Sequence, residues 1–306
     1  MQNIYDLIII GAGPAGITAA IYAARHKLKF CILSMDLGGQ MSWSSEVDNY
    51  PGIPDVSGIK IVDRFNQHLK DYKINIKLEE VVKLIKKGNI CVVKTKKNQY
   101  ESKAVLIATG KKPKKLNVKG EEQFMGKGVN YCATCDAPLY KGKKVVIVGG
   151  GNSGLEAALF LSKYAKKVYI LDINKKLGGE PYLRDKVLAD KKIIIITDAK
   201  TKKIEGNKFV NSLIYEKAGQ EKTLDVEGVF VEIGLITEAN FTDVKKNKWG
   251  EIMLFRGTQT HNENLTSISG IFAAGDCTDI PSKQIVVAAG EGAKACLAAI
   301  DYIHRK

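Results

Sequence analysis

The sequence predicts an α/β protein built from two Rossmann-like, three-layer dinucleotide-binding domains, the second inserted into the first. Three observations carry this. A glycine-rich fingerprint that follows an apolar strand pattern and opens a helix occurs twice, the second copy starting 138 residues after the first. Apolar strands ending in small-residue turns lie on both sides of that second copy. A chain of 306 residues is also longer than one hydrophobic core usually serves.

The first unit opens with YDLIII at residues 5–10, a short run suited to a strand buried on both faces. Gly11-Ala12-Gly13-Pro14-Ala15-Gly16 follows at once, and Ile17 to Arg25 is an Ala-rich helix. Gly11 permits a tight turn, Gly13 lets backbone approach a pyrophosphate, and Gly16 lets helix pack on strand, while the helix N-terminus faces negative charge. Pro14 suits an early helical position, where its missing N–H costs nothing. The second copy runs from the strand Lys144–Val148 through Gly149-Gly150-Gly151-Asn152-Ser153-Gly154 into a helix over Leu155–Tyr164. Two fingerprints in the same context argue for two dinucleotides, most simply a flavin and a nicotinamide.

Two further strand patterns end in turns of the ligand-binding type: Ala104–Ile107 into Ala108-Thr109-Gly110, and Gly270–Ala274 into Gly275-Asp276. Their separation predicts a domain formed by residues 1–111 and 240–306, with 114–239 inserted. The stretches Lys111–Lys115 and Gly234–Ala239 are the expected linkers.

Chemistry enters at Tyr131-Cys132-Ala133-Thr134-Cys135-Asp136. Two thiols separated by two residues can close a small disulfide ring, and one of such a pair often ionises readily. The same spacing could be half of a zinc site, but the other four cysteines are isolated and the four histidines form no ligand pair. Asp136 is placed to exchange a proton with a departing thiolate; it would equally serve as a turn or helix-cap aspartate.

Composition narrows the setting. Lys and Arg number 47 against 33 Asp and Glu, a formal charge of +14, which raises nucleic acid or an anionic membrane as partners. Only five of the 47 are arginines, and the lysines are spread in pairs along the chain, so the charge reads as a solvated, Lys-biased surface, with an acidic protein partner as the alternative. No stretch approaches the ~18 apolar residues of a membrane span. A strand starting at Tyr5 leaves no room for a signal peptide, and six cysteines in so long a chain make no disulfide framework. A cytoplasmic protein is expected.

These residues together resemble the low-molecular-weight thioredoxin reductases and the C-terminal part of the alkyl hydroperoxide reductase flavoprotein subunit. The resemblance spans essentially the whole chain. It rests on GAGPAG at 11–16, GGQMSWSSEVDNYPG at 38–52, ATG at 108–110, CATCD at 132–136, GGGNSG at 149–154, and IFAAGDCT with KQIVVAAGEGAKA within 271–295. It implies FAD on the split domain, contacted by Gly11, Gly13, Ala15, Gly16, Gly39, Gln40, Asn49, Ala108, Thr109, Gly110, Gly275, Asp276, Gln284 and Ile285. It implies that Cys135 faces the flavin, that Cys132 exchanges with thioredoxin or a similar small redoxin, and that Asp136 is the acid. It further implies a homodimer and a rotation of one domain against the other between the two half-reactions.

The sequence also departs from that family. NADPH-using members carry an arginine cluster after the second strand of the inserted domain, whereas Val168 to Gly178 here contains none. Asp172 ends that strand and is the residue type that accepts from a free ribose 2'-OH and repels a 2'-phosphate, so NADH is expected over NADPH, with Gly149, Gly151, Asn152, Ser153 and Gly154 as the other contacts. Lys175 and Lys176 would blunt that preference. Gly234–Ala239 replaces the Pro-Asn-Thr segment usual near the junction, which keeps reduced ferredoxin, a deazaflavin or a second flavin open as donors. A reductase for a peroxiredoxin system and a non-catalytic flavin-binding redox sensor are the rival functions.

Overall fold

The computed structural model describes residues 4–43, 47, 49–54, 56–237, 239–255 and 263–305, without the side chains of Trp43, Thr134 and Cys135. Residues 44–46 and 48, within the segment 38–52, and Glu238, within the second linker, lie outside this set.

The chain forms two compact units, one from residues 1–112 and 236–306 and the other from residues 113–235. The first begins with β1 (Tyr5–Ile10), α1 (Pro14–Arg25), β2 (Phe30–Ser34), α2 (Gly58–Asp71), β3 (Ile76–Leu78), β4 (Val81–Lys87), β5 (Ile90–Thr95) and β6 (Gln99–Ile107). Strands β3, β2, β1 and β6 lie side by side in parallel, and β5 and β4 continue the sheet antiparallel. The run YDLIII is buried on both faces, as its composition predicts. Leu7 and Ile9 meet α1 and α2, while Ile8 and Ile10 pack with Leu84, Val93 and Val105. Helix α1 starts three residues earlier than the apolar pattern suggests, because Pro14, Ala15 and Gly16 form its first turn.

The chain crosses at β7 (Lys112–Pro113), which pairs with the returning β16 (Leu235–Ile236). Between them lie β8 (Val129–Asn130), α3 (Ala133–Asp136), β9 (Lys144–Val148), α4 (Asn152–Leu161), β10 (Lys167–Leu171), α5 (Pro181–Ala189), β11 (Ile193–Ile196), β12 (Lys200–Gly206), β13 (Val210–Lys217), β14 (Gln220–Asp225) and β15 (Gly228–Val231). Five strands form a parallel sheet in the order β11-β10-β9-β15-β8, and β12-β13-β14 an antiparallel one. Val145 and Ile147 pack with α4 and Val146 and Val148 with the small sheet, so this unit too has three layers. Helix α4 is shifted from the expected 155–164 to Asn152–Leu161, since Asn152–Gly154 make its first turn and the last residues close into tighter turns, Lys163 N–H donating to Phe160 O.

Back in the first unit, β17 (Ile271–Ala273) pairs with the end of β6, and α6 (Ile285–His304) packs on α1. The helices meet closely because Gly292 faces the carbonyl of Ala15, where a Cβ would overlap backbone.

Candidate active site

The first fingerprint is built as its spacing predicts. Gly11 takes φ +107° with the backbone of Ala108 against it, and a Cβ on Gly16 would overlap Gly11 O. Gly13 has open space where its side chain would be. Ser34, at the end of β2, accepts from Ala12 N–H at 3.1 Å and so holds the loop.

The structure brings Ala108, Gly39 and Gly275, three of the other implied contacts, to this loop. A Cβ on Gly39 would lie 3.7 Å from Gly13 Cα, and one on Gly275 3.2 Å from Ala15 Cβ. Gln40 Nε2 donates to Asp276 Oδ2 at 3.4 Å, and Asn49 Nδ2 to Gln284 Oε1 at 3.2 Å. Gln284 caps α6 and Ile285 opens it, while Ala108, Thr109 and Gly110 follow β6 directly. Thr109 Oγ1 is buried without a hydrogen-bond partner. An open glycine, an orphaned buried hydroxyl and the part-buried pair of Gln40 and Asp276 fit an extended, polar dinucleotide such as FAD.

Sequence reasoning missed what supports this cradle. Lys111 and Lys283 both pair with Glu251, at 2.9 and 3.5 Å, and Lys283 Nζ donates to Thr278 O at 2.6 Å and Asp276 O at 3.4 Å. Burial pushes the Asp276 carboxyl up, opposed by Lys283, Lys111 and the Gln40 amide. Lys111 and Glu251 are 140 residues apart, and no local pattern announces such a pair.

The second fingerprint repeats the first. Gly149 takes φ +119° against the backbone of Glu232, a Cβ on Gly154 would overlap Gly149 O, and Gly151 faces open space. Ser153 is exposed in the first turn of α4. Asn152 Oδ1 accepts from Glu180 N–H at 2.8 Å. Asp172 is 5% exposed; its Oδ1 accepts from Asn174 N–H at 2.7 Å and Asn174 Nδ2 at 2.9 Å, and its Oδ2 stands over Gly150. Three glutamates not singled out in the sequence gather here. Burial and then Glu156 push the Glu232 carboxyl up to about 7, and burial and then Glu180 raise Glu156.

The CxxC segment forms the short helix α3, whose Ala133 sits in the core with Ala137, Tyr140 and Leu155. Asp136 N–H donates to Cys132 O at 3.3 Å, and burial raises the Asp136 carboxyl above its ordinary range. Cys132 is disulfide-bonded, whereas Cys31, Cys91, Cys277 and Cys296 form no disulfide and are buried. The side chain of Cys135 lies outside the described residues. Asp136 lines a cavity of about 540 Å³ with Asn130, Tyr131, Leu139, Tyr140 and Lys143.

A split glycine cradle, a second one in an inserted unit and a disulfide beside a raised carboxyl are thus held on one chain. Residues 5–292 match the pyridine nucleotide-disulphide oxidoreductase family. The chain is a member of this family, of the low-molecular-weight thioredoxin reductase type. It is 36% identical to the alkyl hydroperoxide reductase F subunit of Escherichia coli over 99% of its own length and 59% of that protein. It is 34% identical to a Bacillus subtilis protein named NADH dehydrogenase, over 98% of its length and 59% of the relative. The chain therefore spans about three-fifths of these two curated relatives. Among solved structures, Lactococcus lactis thioredoxin reductase in the FR conformation superposes with a TM-score of 0.86 at 32% identity, covering 99% of this chain and 100% of the other. Among the described residues no helix is long and apolar enough to cross a membrane.

Proposed function

We propose that this flavin disulfide oxidoreductase passes electrons from NADH through FAD and the Cys132–Cys135 pair to thioredoxin or a similar small redoxin. The observation that carries this reading is the disulfide at Cys132 beside the raised carboxyl of Asp136, in a chain that also builds two nucleotide cradles. Bound FAD supplies the conversion of hydride chemistry into dithiol chemistry. Gly11, Gly13, Gly16 and the N-terminus of α1 would hold its pyrophosphate, Gly39, Gln40 and Asp276 its ribityl side, and Gln284 and Ile285 its ring.

Once the pair is reduced, the Cys132 thiolate attacks the redoxin disulfide and forms a mixed disulfide, releasing one redoxin thiolate. Cys135 then attacks Cys132, restoring the internal disulfide and freeing the second redoxin thiolate. Asp136 holds the proton that a departing thiolate takes up, and burial raises its affinity for that proton.

Asp172 supports NADH. Its fixed, buried carboxylate is placed to receive a ribose 2'-OH, and the strand end carries no arginine for a 2'-phosphate. Anaerobic titration of the flavin with NADH, NADPH and reduced ferredoxin in turn tests this; faster reduction by NADPH than by NADH rejects the assignment.

A peroxiredoxin-system partner is the second reading, favoured by the 36% identity to a component of an alkyl hydroperoxide reductase. Comparing turnover with purified redoxin and peroxiredoxin separates the two. A homodimer in a reducing, cytoplasmic compartment completes the reading, and four buried cysteines outside any disulfide suit that compartment.

A further inference from the structure

We infer that Glu121 and Tyr131 form a positioning clamp for the redox disulfide, one buried carboxylate fixing both the residue before Cys132 and the backbone of Leu116 and Asn117. The inference rests on the reading of Cys132 as a redox-active thiol.

Glu121 is only 1% exposed. A carboxylate so deep in the protein needs hydrogen-bond donors, and it has three: Leu116 N–H, Asn117 N–H and the Tyr131 hydroxyl, each at 2.7 Å. Two of them come from the segment that follows the crossing strand β7. Asn117 there takes φ +56°, a conformation that costs energy in a non-glycine residue and that the carboxylate stabilises by binding its N–H.

The third donor reaches the active site directly. Tyr131 precedes Cys132, and its ring shares the wall of the 540 Å³ cavity with Asp136. Beyond Cys132 the chain is held by the Asp136 N–H bond to Cys132 O and by buried Ala133 and Ala137. Cys132 is therefore bracketed, by the Tyr131–Glu121 bond on one side and by α3 on the other. All of these groups belong to residues 113–235 and so travel with the dithiol as one unit.

Such a bracket has a chemical consequence. The stability of an internal disulfide depends on the effective concentration of one thiol at the other, which falls when the backbone carrying either is released. Loosening the clamp should favour the dithiol and raise its midpoint potential. A purely structural bond would lower the melting temperature and leave the potential where it was.

The test is equilibration of the flavin-loaded protein in dithiothreitol and glutathione buffers, with thiol alkylation read by mass shift. Tyr131→Phe keeps the ring and removes the bond. It should weaken the disulfide three- to tenfold, a rise of about 15–30 mV at 29.6 mV per tenfold. Glu121→Gln can still accept from Tyr131 but cannot bind both backbone N–H groups, and should shift the potential in the same direction. The double variant should exceed the larger single shift only slightly, because both changes break one network. Potentials unchanged in both variants, with only the melting temperature lowered, overturn the clamp. A wild-type Cys132 pair that shows no equilibrium anywhere in this range overturns the dithiol reading itself, and the clamp with it.

Discussion

Asp172 Oδ2 occupies the space in which a side chain on Gly150 would begin, so the second glycine turn and the end of β10 are fitted to each other. Asn174 N–H and Nδ2 hold the other oxygen, and on the NADH reading proposed above this carboxylate meets the ribose and repels a 2'-phosphate. Asp172→Ala should therefore weaken reduction by NADH and relieve the repulsion of NADPH, narrowing the ratio of the two rates at least about tenfold. Stopped-flow flavin reduction with each nucleotide measures it, and an unchanged ratio would remove Asp172 from nucleotide selection.

The two half-reactions should separate at the second cysteine. Cys135→Ser leaves both glycine cradles intact and removes the thiol assigned to the flavin side. Donor-driven bleaching of the flavin should persist, while redoxin turnover falls by at least roughly three orders of magnitude. Retained turnover in this variant would defeat the dithiol route.

Glu232 should give the inserted unit a pH-dependent stability. Its carboxyl is raised from 4.5 to about 7 by burial and by Glu156, so the folded state holds a proton that the unfolded chain releases near pH 4.5. Its contribution is fully present below about pH 4.5 and is lost as pH rises through 7. At 1.36 kcal/mol per pH unit the loss is at most about 3 kcal/mol. Glu232→Gln should remove that slope and raise the urea midpoint at pH 8 relative to the unaltered protein. An unchanged slope between pH 5 and 8 would place Glu232 in contact with solvent.

What the sequence reveals and what it hides divide along contact distance. YDLIII with GAGPAG, and KVVIV with GGGNSG, are local patterns whose geometry follows from glycine and from strand burial, and both turns fold as read. Several of the implied flavin contacts meet because Gly11, Ala108 and Gly275 follow β1, β6 and β17, which lie side by side in one parallel sheet. Glu121 with Tyr131, Lys111 with Glu251, and Glu232 with Glu156 escape a sequence reading because each pair joins separate elements, and a lone glutamate in a Lys-rich chain looks like surface. The helix starts are displaced for a related reason: fingerprint residues read as loop supply the first helical turn.

The formal charge of +14 makes the final prediction. Exposed lysines spread over a surface add little to folding, since isolated surface charges and pairs in water contribute small energies. They do raise the potential that an approaching acidic protein meets, and so its association rate. That attraction acts across solvent, where the screening length is about 10 Å at 0.1 M salt and 3 Å at 1 M. If an acidic redoxin is the partner, raising salt from 0.05 to 0.5 M should increase its KM several-fold. Flavin reduction by NADH should change less, because a dinucleotide held in a glycine cradle is bound mainly by short-range hydrogen bonds. Steady-state kinetics with redoxin, beside stopped-flow reduction at the same salt concentrations, compares the two directly. A redoxin KM that does not move with salt would show that the lysines serve solubility and not recognition.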